Sequence, residues 1–168
     1  MPGPVKLPAG SIASMTESTT DFAAVAEGLR ASVPFVRTLG LEFVELAADR
    51  AVLRLPDEAA HHNHIGGPHA GAMFTLAESA SGAIVLAAFG DQLARATPLA
   101  VDASIRYLKI ARGPVLAEAR LTRPAAEVVA ELDAGTRPEF VVAITIVDEA
   151  GTTTAEMTVT WTLRPHRA

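Results

Sequence analysis

Glu78 is the one ionisable side chain in the run Ala70–Gly90, where Ala, Met, Phe, Leu, Ile and Val fall on every helical face. A carboxylate in such surroundings costs several kcal/mol unless it is paired, hydrogen-bonded or protonated. The chain accepts that cost in the middle of its most apolar stretch. Apolar surroundings also raise a carboxylate's pKa, which suits a nucleophile or a general base acting on water. A purely structural Glu, bonded to loop amides or to a partner helix, is the competing reading.

A complementary group stands at the start of the same run. The first amides of a helix have no intrahelical partner and carry the positive end of its dipole. They can hold a carbonyl oxygen as it turns negative in a tetrahedral intermediate. His69, Ala70 and Gly71 stand there, and the small Ala70 and Gly71 let a ligand approach the backbone. Asn63, before the Gly66-Gly67-Pro68 turn, suits either a bond to a substrate carbonyl or the shaping of the loop. Thr75, Ser79 and Gly82 flank Glu78 at helical spacing. Ser79 and Ser81 suit the orienting of water, or a bond to the preceding turn. From Ala70 to Glu78 is eight residues, roughly 12 Å of helix. Glu78 therefore cannot serve a carbonyl held by its own helix. Two antiparallel copies solve this, with Glu78 of one chain facing the helix start of the other.

These groups need a long helix and a surface that buries it. Pro68 suits a first helical turn and Gly90 a C-terminal glycine, so the helix is expected over residues 68–90. Ahead of it, Asp21 as N-cap with Phe22, Val25, Ala26 and Leu29 predicts a short amphipathic helix, Asp21–Ser32, ended by Pro34. Leu41–Leu46 and Ala51–Leu55 read as a hairpin around Ala47–Arg50. Beyond the helix, Leu99, Val101, Ala103, Ile105 and Tyr107 alternate with Ala100, Asp102, Ser104 and Arg106, a strand period. Gly113-Pro114 turns the chain into a strand over Val115–Thr122. Arg123–Pro138 is a connection with a short helical turn at Ala125–Ala130. Phe140–Val147, apolar on both faces, is expected at the sheet centre, and Thr154–Leu163 alternates again. The order is strand, strand, long helix, then about four consecutive antiparallel strands. A helix apolar all round must be wrapped by a curved sheet, covered by a second copy of itself, or both. The fold class is thus α+β, with about six strands. Residues 1–20 read as a mobile tail, which leaves one domain over 21–168.

The run Asn63…Gly67, His69-Ala70-Gly71-Ala72, Phe74, Leu76-Ala77-Glu78, Ser81-Gly82 resembles the hotdog-fold acyl-CoA thioesterases, in the branch near the phenylacetate-pathway enzymes. The family pattern is an Asn, a Gly, His-Gly-Gly, and an acidic residue nine positions after the His; His69 and Glu78 keep that spacing. The resemblance spans roughly Pro34 to Leu163. It implies that Glu78 attacks the thioester or activates water and that the Ala70 N–H polarises the carbonyl. It also implies a site shared across a homodimer or homotetramer, and an acyl-CoA substrate with no separate cofactor. Ala70 departs from the usual Gly; its backbone amide survives the change, in a tighter space. Gly67, Ser81 and Gly82 become candidate substrate contacts. Arg106, Lys109 and Arg112, with Arg123 and Arg137 further on, are candidates for the coenzyme A phosphates. Solvated surface charge explains each of these cations equally well.

Two rivals share the fold. His64 and Glu78, with His64-Ile65-Gly66-Gly67 faintly similar to His-Phe-Pro-Gly, would suit a 3-hydroxyacyl dehydratase or hydratase. The Pro-Gly that those enzymes carry before the helix is missing, however. The second rival is a non-catalytic acyl-CoA-binding module. Elsewhere the sequence excludes more than it offers. His62 and His64 lack a well-spaced third metal ligand. No G-x-S-x-G elbow or phosphate-cradling glycine loop occurs. A net charge of −5 argues against a nucleic-acid partner. The chain has no cysteine, which excludes a thiolate nucleophile and is compatible with a cytoplasmic location. No signal peptide is expected. Glu78, Ser79, Ser81 and Gly82 interrupt the apolar run, so no membrane span is expected.

Overall fold

The structure, a computed structural model, describes residues 21–167. The tail expected over residues 1–20 lies outside them. Helix α1, Phe22–Ser32, starts where the Asp21 carboxylate accepts the Ala24 N–H at 3.1 Å. Pro34 does more than end it. Val33 is extended, and Pro34 opens a second helix, α2 (Pro34–Thr38), at the position where a missing N–H is harmless. Strands β1 (Glu42–Leu46) and β2 (Ala51–Leu55) form the expected hairpin. The long helix α3 spans Ala70–Phe89, followed by β3 (Ala96–Tyr107), β4 (Val115–Leu121), α4 (Ala125–Asp133), β5 (Glu139–Asp148) and β6 (Thr153–Pro165).

The six strands make one antiparallel sheet in the order β1-β2-β4-β5-β6-β3. Its concave face holds α3, which matches the expected α+β hotdog architecture. Leu76, Ala77, Ala80, Ala83, Ile84 and Val85 of α3 are wholly buried. The many alanines let β2, β4 and β5 approach the helix closely, and Leu53, Val115, Ala117, Val142 and Ile146 complete the core.

Several expectations need correction. Four antiparallel strands follow the helix in the chain as expected, but they do not lie side by side in that order. β3 pairs only with β6 at one edge, and β4 fills the place beside β2, so the chain crosses the sheet between them. β5 is central, but only its Phe140, Val142, Ile144 and Ile146 face is buried; Ala143 and Thr145 on the other face are exposed. β3 carries a bulge between Ala100 and Asp102, which reverses its alternation. Pro98, Ala100, Ala103, Ile105 and Tyr107 therefore pair with Leu163, Trp161, Val159, Met157 and Ala155, while Leu99 pairs with Thr162. Helix α3 begins at Ala70 with His69 as N-cap, and Pro68 lies outside it, bridged to His62. Gly90 keeps a right-handed φ of −58° and leads into a further 3₁₀ turn through Gln92, so it is not a left-handed cap. The interruptions at Glu78 to Gly82 also do not disqualify the helix as a span by length and composition. The 23 residues Ala70–Gln92 contain an 18-residue window of mean hydropathy 1.6, but 61% of that window is buried inside the protein. The sheet takes the place of lipid.

Candidate functional site

The loop before α3 is built on Asn63. Its Oδ1 accepts the N–H groups of Ile65 (3.0 Å) and Gly67 (3.2 Å), and its Nδ2 donates to the Pro68 carbonyl (3.2 Å). Of the two roles open to it, Asn63 fills the shaping one. Gly67 is buried, and a Cβ there would stand 2.6 Å from the Ala111 carbonyl oxygen. Gly67 was expected at the substrate; it instead permits a close approach of two backbone segments.

The helix start is set by its neighbours. His69 donates its N–H to the His61 carbonyl at 2.7 Å, and its Nδ1 accepts the Gly71 N–H at 2.9 Å. The Gly71 amide, expected as an oxyanion donor, is therefore already used. The Ala70 N–H meets no acceptor among the described residues. Tyr107 is a site residue that the sequence reasoning missed. Its O–H donates to the Ala70 carbonyl at 2.8 Å, and burial pushes its phenol up, which keeps the donor protonated. His69 and Tyr107 thus hold the Ala70–Gly71 peptide from both sides and fix the neighbouring Ala70 N–H. The strand alternation already placed Tyr107 on one face; what it lacked was the register that brings that face to the helix start. A cleft of about 360 Å³ opens here, lined among others by Asn63, Ile65, Ala70, Met73, Tyr107 and Lys109.

Glu78 lies elsewhere on the helix. It is half-buried, and its carboxylate meets no hydrogen-bond or salt-bridge partner among the described residues. Burial pushes its carboxyl above the ordinary carboxylate range. It lines a cavity of about 230 Å³, together with Leu29 and Val33 near the end of α1, Val36 of α2, Phe43 of β1, Pro98 of β3 and Trp161 of β6. Ser79 and Gly82 also face this cavity. Ser81 does not reach a substrate: it is wholly buried, donates to the Glu78 carbonyl at 2.7 Å and accepts the Trp161 indole N–H at 3.1 Å. It ties the helix at Glu78 to β6. The cavity and the cleft share no lining residue.

The candidate cations divide likewise. Lys109 lines the cleft. Arg106 pairs in register with Glu156 and lies on the convex face of the sheet, so it misses the helix start. Arg112 is exposed beyond β3. Arg123 is held by both oxygens of Glu131, and Arg137 by Thr162. His62 bonds Asp57 at 2.6 Å, and His64 is exposed.

A family model described as a domain of unknown function, DUF4442, matches residues 22–163. A Pseudomonas aeruginosa protein described as of unknown function and a probable thioesterase is 32% identical to the chain. That similarity covers 86% of this chain and 96% of the other, with a TM-score of 0.76. The chain belongs to the hotdog-fold thioesterase family. More distant solved structures share the fold. One is a Silicibacter pomeroyi thioesterase-family protein, 23% identical with a TM-score of 0.70, covering 86% of this chain and 99% of that one. Another is the Escherichia coli PaaI protein of the phenylacetic acid degradation operon, 16% identical with a TM-score of 0.68, covering 88% and 94%. No curated protein matches the chain.

Proposed function

We propose that the protein is an acyl-CoA thioesterase whose site is completed by two copies of the chain. The observation that carries this reading is the Glu78 carboxylate, half-buried beside an apolar cavity and without a polar partner among the described residues. The second group the chemistry needs is the Ala70 N–H, which meets no acceptor among the described residues and lies roughly two helical turns away on the same helix. Neither half-site is sufficient alone. Strand β3 supports the pairing. It is an edge strand of 12 residues with Leu99, Val101 and Tyr107 exposed, and Leu108, Ile110 and Ile65 extend the apolar surface toward the helix start. Such an edge is a template for a second chain.

In the proposed reaction the thioester carbonyl accepts the Ala70 N–H of one copy. Glu78 of the other takes a proton from water as the water oxygen bonds to the carbonyl carbon. The tetrahedral oxyanion then collapses, the C–S bond breaks, and the thiolate leaves with the proton from Glu78. Direct attack by the Glu78 oxygen would instead break the C–S bond and expel the thiolate, giving a mixed anhydride that water then cleaves to the free acid and the restored Glu78 carboxylate. In both routes the carboxylate must be ionised. Lys109, which lines the cleft, would meet the coenzyme A arm.

Two variants test this with acyl-CoA esters and a thiol-trapping dye. Glu78→Gln should lower turnover by about 10²- to 10⁴-fold while ligand binding persists. Ala70→Pro removes one N–H at the first helical position, where proline fits, and should cost about 10²- to 10³-fold. The residue before it, His69, already has the extended conformation that a following proline requires (φ −64°, ψ 139°). Retained turnover in Glu78→Gln, or an active species at the 17.5 kDa of one chain, would refute the reading.

A further inference from the structure

We propose that the cavity beside Glu78 is the acyl pocket, and that it selects uncharged acyl groups of about six to nine carbons; this rests on the thioesterase reading above. A cavity of about 150 Å³ lined by aliphatic and aromatic side chains takes up benzene, so about 230 Å³ corresponds to roughly nine carbon atoms. A medium-length chain fits, as does an aryl ring on a short linker. Apart from Glu78 and Ser79 the lining is apolar, and among the described residues no Arg, Lys or His lines the space. A second carboxylate on the acyl group would be buried without a partner and beside Glu78, at a cost that excludes it. The helix-start cleft, lined by Lys109, Asn63 and Tyr107 among apolar residues, is left for the coenzyme A arm.

Two residues set the length. Gly82 faces the Trp161 ring, and a Cβ on it would make an ordinary 3.8 Å contact. A larger side chain there would occupy pocket volume without displacing backbone. Phe43 of β1 also lines the pocket, with the Arg30 guanidinium of α1 4.9 Å from its ring centroid. Truncating Phe43 would deepen the cavity.

Trp161, the single tryptophan of the chain, lines this pocket, so its emission reports filling. The probes are non-hydrolysable S-alkyl-CoA thioethers from butyl to dodecyl, with an S-(5-carboxypentyl)-CoA of hexyl length. Affinity should rise about fourfold per methylene up to the octyl compound and then stop rising or fall. The carboxylated probe should bind about a hundredfold or more weaker than the hexyl one. Gly82→Val should move the optimum down by about two carbons, and Phe43→Ala should move it up. A flat length profile, silent Trp161 emission, equal binding of the carboxylated probe, or an unmoved optimum in a folded Gly82→Val protein would overturn the assignment. Turnover with a flat profile would sink the pocket and leave the hydrolase. A length profile without turnover of any acyl-CoA would do the reverse.

Discussion

At the residue scale, the role proposed for Glu78 would link catalysis to stability through one proton. Its folded-state pKa is raised by burial, so the native protein holds the acidic proton more tightly than the unfolded chain. The favourable contribution of the protonated form is present below the unfolded pKa and is lost as pH rises through the raised folded value. At neutral pH the ionised Glu78 therefore burdens the fold. Glu78→Gln should melt at a higher temperature than the parent at neutral pH, and the gap should close as pH falls below the ordinary carboxylate value. Thermal unfolding across that range checks the sign; a destabilised Gln variant at neutral pH would show that the carboxylate is held by bonds to its ionised form. Turnover should have the opposite dependence, falling as acid protonates the base. Such a position was legible in the sequence because a lone acid in an apolar helix has few innocent explanations. Ser81 was not, because its partner, the Trp161 indole, lies 80 residues away in the chain.

At the scale of elements, the loop from His61 to Pro68 is what aims the helix start. Gly67→Ala places a methyl against a carbonyl oxygen that belongs to backbone and cannot swing aside. The loop must move, and with it the Asn63 bonds. A loss of about 1–3 kcal/mol in urea unfolding is expected, accompanied by slower turnover. An unchanged midpoint would mean that residues 110–112 yield easily. Helix, hairpin and strand positions were largely legible, since burial imposes a period of 3.6 or 2 on the apolar residues. The neighbour of each strand was not, because that period reports a face and says nothing of the partner. The bulge at Ala100–Asp102 broke the period itself and turned Leu99 away from the face predicted for it. The cavity at Glu78 was illegible for a related reason: its wall comes from α1, α2 and β1, which lie more than 30 residues before Glu78 in the sequence.

At the scale of the whole molecule, the arrangement divides labour within one helix. On the proposed mechanism the base, Glu78, sits in its middle and the oxyanion donor, the Ala70 N–H, at its tip, and the two residues line different spaces. In a two-fold dimer each catalytic centre would then draw one group from each chain. Two broken proteins can consequently mend each other. In a hybrid of Glu78→Gln with Ala70→Pro, one centre inherits both lesions and the other inherits none. Co-refolding the two inactive variants in equal amounts should restore about one quarter of the parent's rate, given random assortment. Were both groups to act within one chain, the mixture would stay as dead as its parts.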